Sequence, residues 1–247
     1  VTLVFTPDAN TGISGTFTHD YTITAVKAKP ITVTAEAASA VYGADIPAFD
    51  FEVPAGALVN NDTKEGLGLT LTTSASKGSN AGVYDITKNA QTTTNYDITV
   101  NGTKKFAITA KPLTAEMIQD MASLTYDGTA QTPGVTVKDG DKPLVSGTDY
   151  TAAYSNNTDA GTAKVIITGK GNYSGSVEKT FTIAKKDITV SGIIAVGRAY
   201  NGETTVDLDY TNVVFTGKIE GDTLTITATG TMADANVGTD KDVTISN

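Results

Sequence analysis

The chain holds one histidine, His19, and no cysteine. A Ser-His-Asp triad or an imidazole-based zinc site would therefore have to pass through that one residue. When Gly12–Val33 is laid on Asn172–Val190, with Ser14-Gly15 on Ser174-Gly175, Tyr21 on Phe181 and Ile23 on Ile183, His19 falls opposite Lys179. A station that takes Lys in one copy reads as a solvent-facing one. Two carboxylate pairs have the spacing of an acid–base couple, which glycoside hydrolysis would need about 5–10 Å apart. Asp207 and Asp209 alternate along one strand, and Glu220 and Asp222 flank Gly221. Neither pair recurs elsewhere in the chain. Asp139-Gly140-Asp141-Lys142 sets two acids around a glycine, but it lacks the series of oxygen ligands a calcium loop requires and has the form of a hairpin turn. These residues give no catalytic set, no metal ligands and no cofactor site, and the expectation is a protein that is not an enzyme.

Two further groups could do chemistry. Tyr150 and Tyr154, in "DYTAAY", are four apart on one predicted strand, so both rings share a face. They are the candidate ligand-binding residues, because a tyrosine ring stacks on a sugar while its hydroxyl reaches water. Lys164 lies on an apolar strand after Asn156 and Asn157. A lysine–asparagine cross-link would use such groups, whereas a lysine on a strand edge also guards against aggregation.

The elements that must position these residues are strands. "ITVTAEA" (Ile31–Ala37), "LGLTLTTS" (Leu67–Ser74), "KVIITG" (Lys164–Gly169), "DITVSG" (Asp187–Gly192) and "TLTITATG" (Thr223–Gly230) alternate apolar residues with Thr or charge. That period marks a strand buried on one face, typically antiparallel. Thr suits the outer face, since its branched Cβ favours extended backbone and its hydroxyl tolerates water. Only Leu113–Met121 has any helical character, and it lacks a periodic stripe.

The strands recur in units. A junction appears as Ala28-Lys29-Pro30-Ile31, Ala110-Lys111-Pro112-Leu113 and Ala184-Lys185-Lys186-Asp187. An aromatic–glycine turn follows at Tyr42-Gly43, Tyr126-Asp127-Gly128 and Tyr200-Asn201-Gly202. A small residue and glycine then enter a strand at Ala81-Gly82, Ala160-Gly161 and Val237-Gly238. Asn95-Tyr96 and Asn172-Tyr173 precede closing strands at Phe106–Ile108 and Phe181–Ile183. The landmarks divide the chain into closing strands of a preceding repeat (1–27), two whole repeats (28–109 and 110–183) and a third (184–247) whose closing strands do not arrive. This phase leads to the expectation of a piece cut from a longer tandem array. The fold class is all-β, a tandem array of small antiparallel Ig-like β-sandwiches, with β-grasp-like repeats as the alternative for units of this length.

At these landmarks the sequence resembles tandem extracellular repeats of large bacterial surface proteins. "VYGADIPAFDF", "LVNND", "NAGVYDIT" and "NYDITV" resemble MBG (YG-type) repeats. "TYDGTAQTPGVTVKDGDKPLVSGTDYTAAYSNNTDAGTAKVIITGKGNYSGSVEKTFTI" resembles an Ig-like repeat of exported bacterial proteins. "AYNGETTVDLDYTNVVFTGKIEGDTLTITATGTMADANVGTDKDVTI" is similar to YDG-type repeats of adhesins, with Asn201 in place of the aspartate. The resemblance implies an extracellular, cell-surface location and an adhesin-like or cell-wall parent, and it implies no catalytic residue.

Composition narrows the partners. With 18 basic and 27 acidic residues the net charge is −9, and no basic patch with interleaved aromatics is present, so nucleic acid is excluded as a partner class. No apolar run has the length of a membrane span, so no membrane insertion is expected. The leading expectation is a structural stalk whose partners are neighbouring repeats of the parent protein. The alternative is a module binding a glycan or a host surface protein. The spare strands of Val1–Val26 and the incomplete third repeat also point to head-to-tail self-pairing.

Overall fold

A computed structural model describes Ile23 and residues 25–246. The chain divides into two compact units, Val1–Ala110 and Lys111–Asn247.

The first unit is built from β1 (Lys29–Ala35), β2 (Ala38–Val41), β3 (Phe51–Glu52), β4 (Thr70–Thr73), β5 (Gly82–Ala90), β6 (Tyr96–Asn101) and β7 (Lys105–Thr109). They form two sheets, ordered β3-β1-β6 and β2-β7-β5-β4. In β1 the alternation of "KPITVTA" turns Ile31, Val33 and Ala35 inward and leaves Thr32 outside. The chain changes sheet across Glu36-Ala37, between β1 and β2. Ile31, Val33, Phe51, Leu67, Leu69, Tyr96 and Ile98 make one core cluster, and Ala35, Ile86, Phe106 and Ile108 make a second. Leu71 and Val100 pack against both, so the two sheets share one apolar interior.

The second unit opens with β8 (Lys111–Pro112), β9 (Leu124–Thr125), β10 (Lys138–Asp139), β11 (Lys142–Pro143), β12 (Tyr150–Ser155), β13 (Gly161–Gly169), β14 (Tyr173–Ser174) and β15 (Ser176–Ala184). Its main sheet is ordered β12-β13-β15-β9, and β14 pairs β8. Ala163, Phe181 and Ile183 are buried against Met121, Leu124, Tyr126 and Tyr154. The same unit continues through β16 (Thr189–Ser191), β17 (Ile194–Ala195), β18 (Thr205–Val206), β19 (Leu208–Asp209), β20 (Val214–Thr216), β21 (Thr229–Met232) and β22 (Val243–Ser246). Here the sheets shrink to β16-β20, β17-β19 and β18-β21-β22. Among the described residues the buried apolar side chains end at Ile183, and Ile188, Val190, Ile194, Val196, Val214 and Ile245 are exposed.

The all-β repeat array is as expected. About 42% of the chain is strand and 3% helical, and the helical part among the described residues is two three-residue 3₁₀ turns, Glu65–Leu67 and Ala115–Met117. Leu113–Met121 thus yields one turn, and among the described residues no helix covers a sheet as a β-grasp helix would. The pairing is mixed rather than purely antiparallel. β1 runs parallel to β6 over six registered pairs, β2 parallel to β7 over four, β8 parallel to β14 and β9 parallel to β15. Alternation reports burial of one face and is blind to a neighbour's direction. The long connection that a parallel pair requires is supplied by the rest of each repeat. "TLTITATG" forms strand only from Thr229. The strands anticipated in Val1–Val26 lie outside the described residues, save for Ile23 and residues 25–26.

Candidate functional site

Period 2 places Tyr150, Ala152 and Tyr154 on one face of β12, and that face is the inner one. Tyr150 is 5% exposed, and its hydroxyl donates to the Val135 carbonyl at 3.0 Å. The Tyr154 hydroxyl donates to the Pro133 carbonyl, and its ring meets Phe181 edge-on at 6.2 Å. Burial pushes the Tyr154 phenol above its usual range, with the neighbouring Tyr150 adding to it. Residues 133 to 135 belong to no strand, so the two hydroxyls satisfy carbonyls that a sheet ladder would otherwise have to satisfy. Tyr150 is thus buried and Tyr154 partly buried, each hydroxyl committed to a carbonyl of its own repeat. Alternation correctly put the two rings together but could not say which side of β12 was wet.

The recurring landmarks meet one another instead. The Lys29 amide donates to the Asn95 carbonyl at 2.9 Å, and the Lys111 amide donates to Asn172 at 2.9 Å. The Tyr42 amide donates to Thr109 at 2.8 Å, and the Tyr126 amide to Ala184 at 2.9 Å. Junction and Asn-Tyr are thus neighbours on parallel strands, and the aromatic–glycine turn caps the pairing with the last strand. Tyr96 donates to Asp62 at 2.8 Å, and Tyr173 donates to Asp139 at 3.2 Å. Asp139, the acid singled out in the Asp-Gly-Asp turn, also pairs with Lys111 at 2.6 Å. Gly140 turns at φ 59° between β10 and β11, which suits glycine.

The remaining candidates are separate from one another. Lys164 pairs across β13 and β15 with Glu178 at 2.9 Å, both half-exposed, while the Asn157 amide donates to the Gln131 carbonyl at 2.8 Å. Asp209 accepts the amide and hydroxyl of Thr211, which hold its carboxyl below the usual range and commit it to a turn. His19 lies outside the described residues.

Asp222 has a role that sequence reasoning missed. It accepts the Tyr126 hydroxyl at 2.8 Å across 96 positions of sequence. Its carboxylate, as acceptor and as nearby charge, raises the Tyr126 phenol above its usual range. Beside this bond Gly128, at φ 80°, lies so close to Ile219 that a Cβ would come within 2.6 Å of its methyl. A shallow cleft of about 410 Å³ follows this seam, bordered by Lys185, Lys186 and Lys218 and by Asp159 and Asp222. A second cleft, of about 470 Å³, lies between residues 195–200 and 235–243, with Val206 and Met232 among its lining. Tyr200 borders it and is 67% exposed, unlike Tyr42 and Tyr126, which pack against the cores of their repeats.

No curated protein and no solved structure matches the chain. Residues 31–105 match the family model of the MBG domain (YGX type), and residues 183–247 match that of the YDG domain. Domains of these two kinds are typical of extracellular or surface proteins and are not known as enzymatic domains. The closing strands of the first two repeats both take a parallel neighbour, β7 beside β2 and β15 beside β9, and the family matches at the two ends are consistent with tandem MBG- and YDG-type repeats.

Proposed function

We propose that the chain is a non-catalytic stalk region of an extracellular bacterial adhesin-like protein, spacing a distal binding region from the cell. The observation that carries the reading is where the recurring residues are used. In the first two repeats the junction lysine bonds the Asn-Tyr pair and the aromatic–glycine turn bonds the end of the closing strand, so the recurring residues serve to close the fold. A binding array would be expected to repeat a surface site. In this reading the units are 1–27, 28–109, 110–183 and 184–247, and each contributes length. Pro30 and Pro112 fix φ and bias the lysine before them towards extended backbone, which restricts bending at the junctions.

Small-angle X-ray scattering on dilute protein tests this. An extended array of repeats, each roughly 35–40 Å long from its strand dimensions, gives a radius of gyration of about 30 Å or more. A compact chain of this length gives ~18 Å. The compact value would overturn the spacer and turn attention to the alternative class, a glycan- or protein-binding module, with the clefts as its sites.

A further inference from the structure

The seam between the second and third repeats lies within one compact unit, and it gathers charges of a kind that the molecule pairs elsewhere. Among the described residues seven lysines form ion pairs with Asp or Glu. Lys185, Lys186 and Lys218 border the 410 Å³ cleft, and among the described residues their amino groups have neither an ion pair nor a hydrogen bond. The junction shows how two of them come to be free. Lys29, at the first junction, donates to the Ala57 carbonyl at 2.7 Å, and Lys111, at the second, pairs with Asp139 at 2.6 Å. Each reaches back onto its own repeat. Lys185 takes no such partner, and Lys186 stands where the other two junctions carry Pro30 and Pro112. A chain of net charge −9 thus holds three unpartnered cations around one cleft.

Hydrogen-bond acceptors line the same cleft and are also partly unused. Asp222 takes the Tyr126 hydroxyl on Oδ1 at 2.8 Å and has its second oxygen to offer. Asp159 is exposed and without a partner among the described residues, and its charge reaches the Tyr126 phenol. Ile188, Ile219 and Leu224 supply apolar lining. The Tyr126–Asp222 bond and the close approach of Gly128 to Ile219 join the two walls, so the cleft is formed before anything enters it. Its volume of about 410 Å³ falls within the ~300–1,000 Å³ of small-molecule sites. A bare anion would satisfy the lysines but be repelled by the two carboxylates. A neutral sugar would satisfy the carboxylates and leave the lysines with nothing to pair. A ring that carries both a carboxylate and hydroxyl groups uses every part. Its carboxylate takes charge-assisted bonds from the lysines, its hydroxyls donate to the acids, and its C–H face lies on the apolar lining.

We propose that this seam binds an acidic sugar, a pyranose ring bearing a carboxylate, with Lys185, Lys186 and Lys218 holding the carboxylate and Asp159 and Asp222 accepting ring hydroxyls. The site belongs to this seam and not to every repeat, because the second lysine of the junction does not recur. It stands apart from the spacer reading. One seam of a stalk can carry it, and the radius of gyration that decides the spacer does not bear on it.

Amide NMR of the full 247-residue chain, titrated in turn with glucuronate and galacturonate, tests the assignment, with glucose and acetate as the two halves of the ligand. At least one of the two acidic sugars gives saturable shifts at Tyr126, Lys185, Lys186, Ile188, Lys218 and Ile219, and binds about tenfold or more tightly than either half. Lys186→Ala combined with Lys218→Ala, both at exposed positions, leaves the circular dichroism unchanged, weakens the acidic sugar about tenfold or more, and removes most of the salt dependence of its binding. Asp159→Ala separates a sugar site from a patch of charge. It relieves repulsion, so acetate binds more tightly, while the acidic sugar loses a hydroxyl acceptor and its margin over acetate shrinks. Four outcomes overturn the assignment. They are no saturable shift at the seam with either acidic sugar, acetate binding as tightly as they do, glucose binding as tightly as they do, and an affinity unchanged in the double lysine variant.

Discussion

Phe106→Ala is the sharpest probe of the idea that each repeat is held from its closing strand. Phe106 is fully buried in the second core cluster with Ala35, Ile86 and Ile108, and its ring meets Phe49 edge-on at 5.4 Å and 76°. Removing a buried phenylalanine costs about 3–5 kcal/mol through lost transfer free energy and the cavity left behind. The aromatic pair adds ~0.5–1.5 kcal/mol beyond the area it buries, so the upper half of the first range is expected. Against a typical domain stability of ~5–15 kcal/mol, that loss leaves the first unit near its limit. Hydrogen exchange followed by mass spectrometry reads the effect locally. Amides of β2, β5 and β7 should lose about three orders of magnitude of protection, given ~1.4 kcal/mol per factor of ten. Amides of β12, β13 and β15 should be unchanged and serve as the internal reference. A loss below ~1.5 kcal/mol, the upper end for a mere Ile→Val trimming, would refute the claim that β7 anchors the unit. Tyr200→Ala, at the matching turn station of the third repeat but exposed, should change stability by no more than ~0.5 kcal/mol.

Two further outcomes are expected. Gly169→Ala brings a Cβ to 2.6 Å from the Ser174 amide nitrogen, where only backbone can yield, so a thermal melt should show a loss of about 1–3 kcal/mol; Gly134→Ala, with open space around it, should melt with the parent. The Tyr126 phenol, raised by Asp222, should ionise above the ordinary tyrosine value of ~10 in a ring-resolved NMR titration, and Asp222→Asn should bring it back down. Because the folded value is the higher one, this bond's stabilisation is complete below the unfolded pKa and is lost as pH rises through the folded one. An unshifted Tyr126 in the parent chain would show that the second and third repeats are not joined there.

Much of the architecture was legible because its signals are local and repeated. Alternation in "KPITVTA" sorts Ile31 and Val33 from Thr32, and the recurrence of Lys-Pro, Tyr-Gly and Asn-Tyr marks the units. Strand direction was not legible, since the pairing of Lys29 with Tyr96 joins residues far apart in sequence and alternation is the same whichever way a neighbour runs. The wet and dry faces of "YTAAYS" were ambiguous for a different reason. Tyr and Ala occupy one face and Thr, Ala and Ser the other, so neither is decisively polar, and the carbonyls of Pro133 and Val135 settled which face Tyr150 and Tyr154 took. Asp222 stood out only as half of a carboxylate pair with Glu220, and its bond to Tyr126 carried no signal because the partner lies in another repeat. Tyr200 shares the landmark of Tyr42 and Tyr126 yet is exposed where they pack against their cores.

The parallel closure of the first two repeats bears on how they answer tension. The chain enters the first repeat at the start of β1 and leaves at the end of β7, and β1 with β6 and β2 with β7 run side by side in the same direction. Entry and exit therefore lie at opposite ends of the paired strands. A pull on the two ends drives those strands to slide along one another, which loads the bonds of ten registered residue pairs together in shear. A hairpin pulled from its open end would instead give way one bond at a time. In the stalk role proposed above, that geometry places rupture at a whole ladder rather than at its weakest rung.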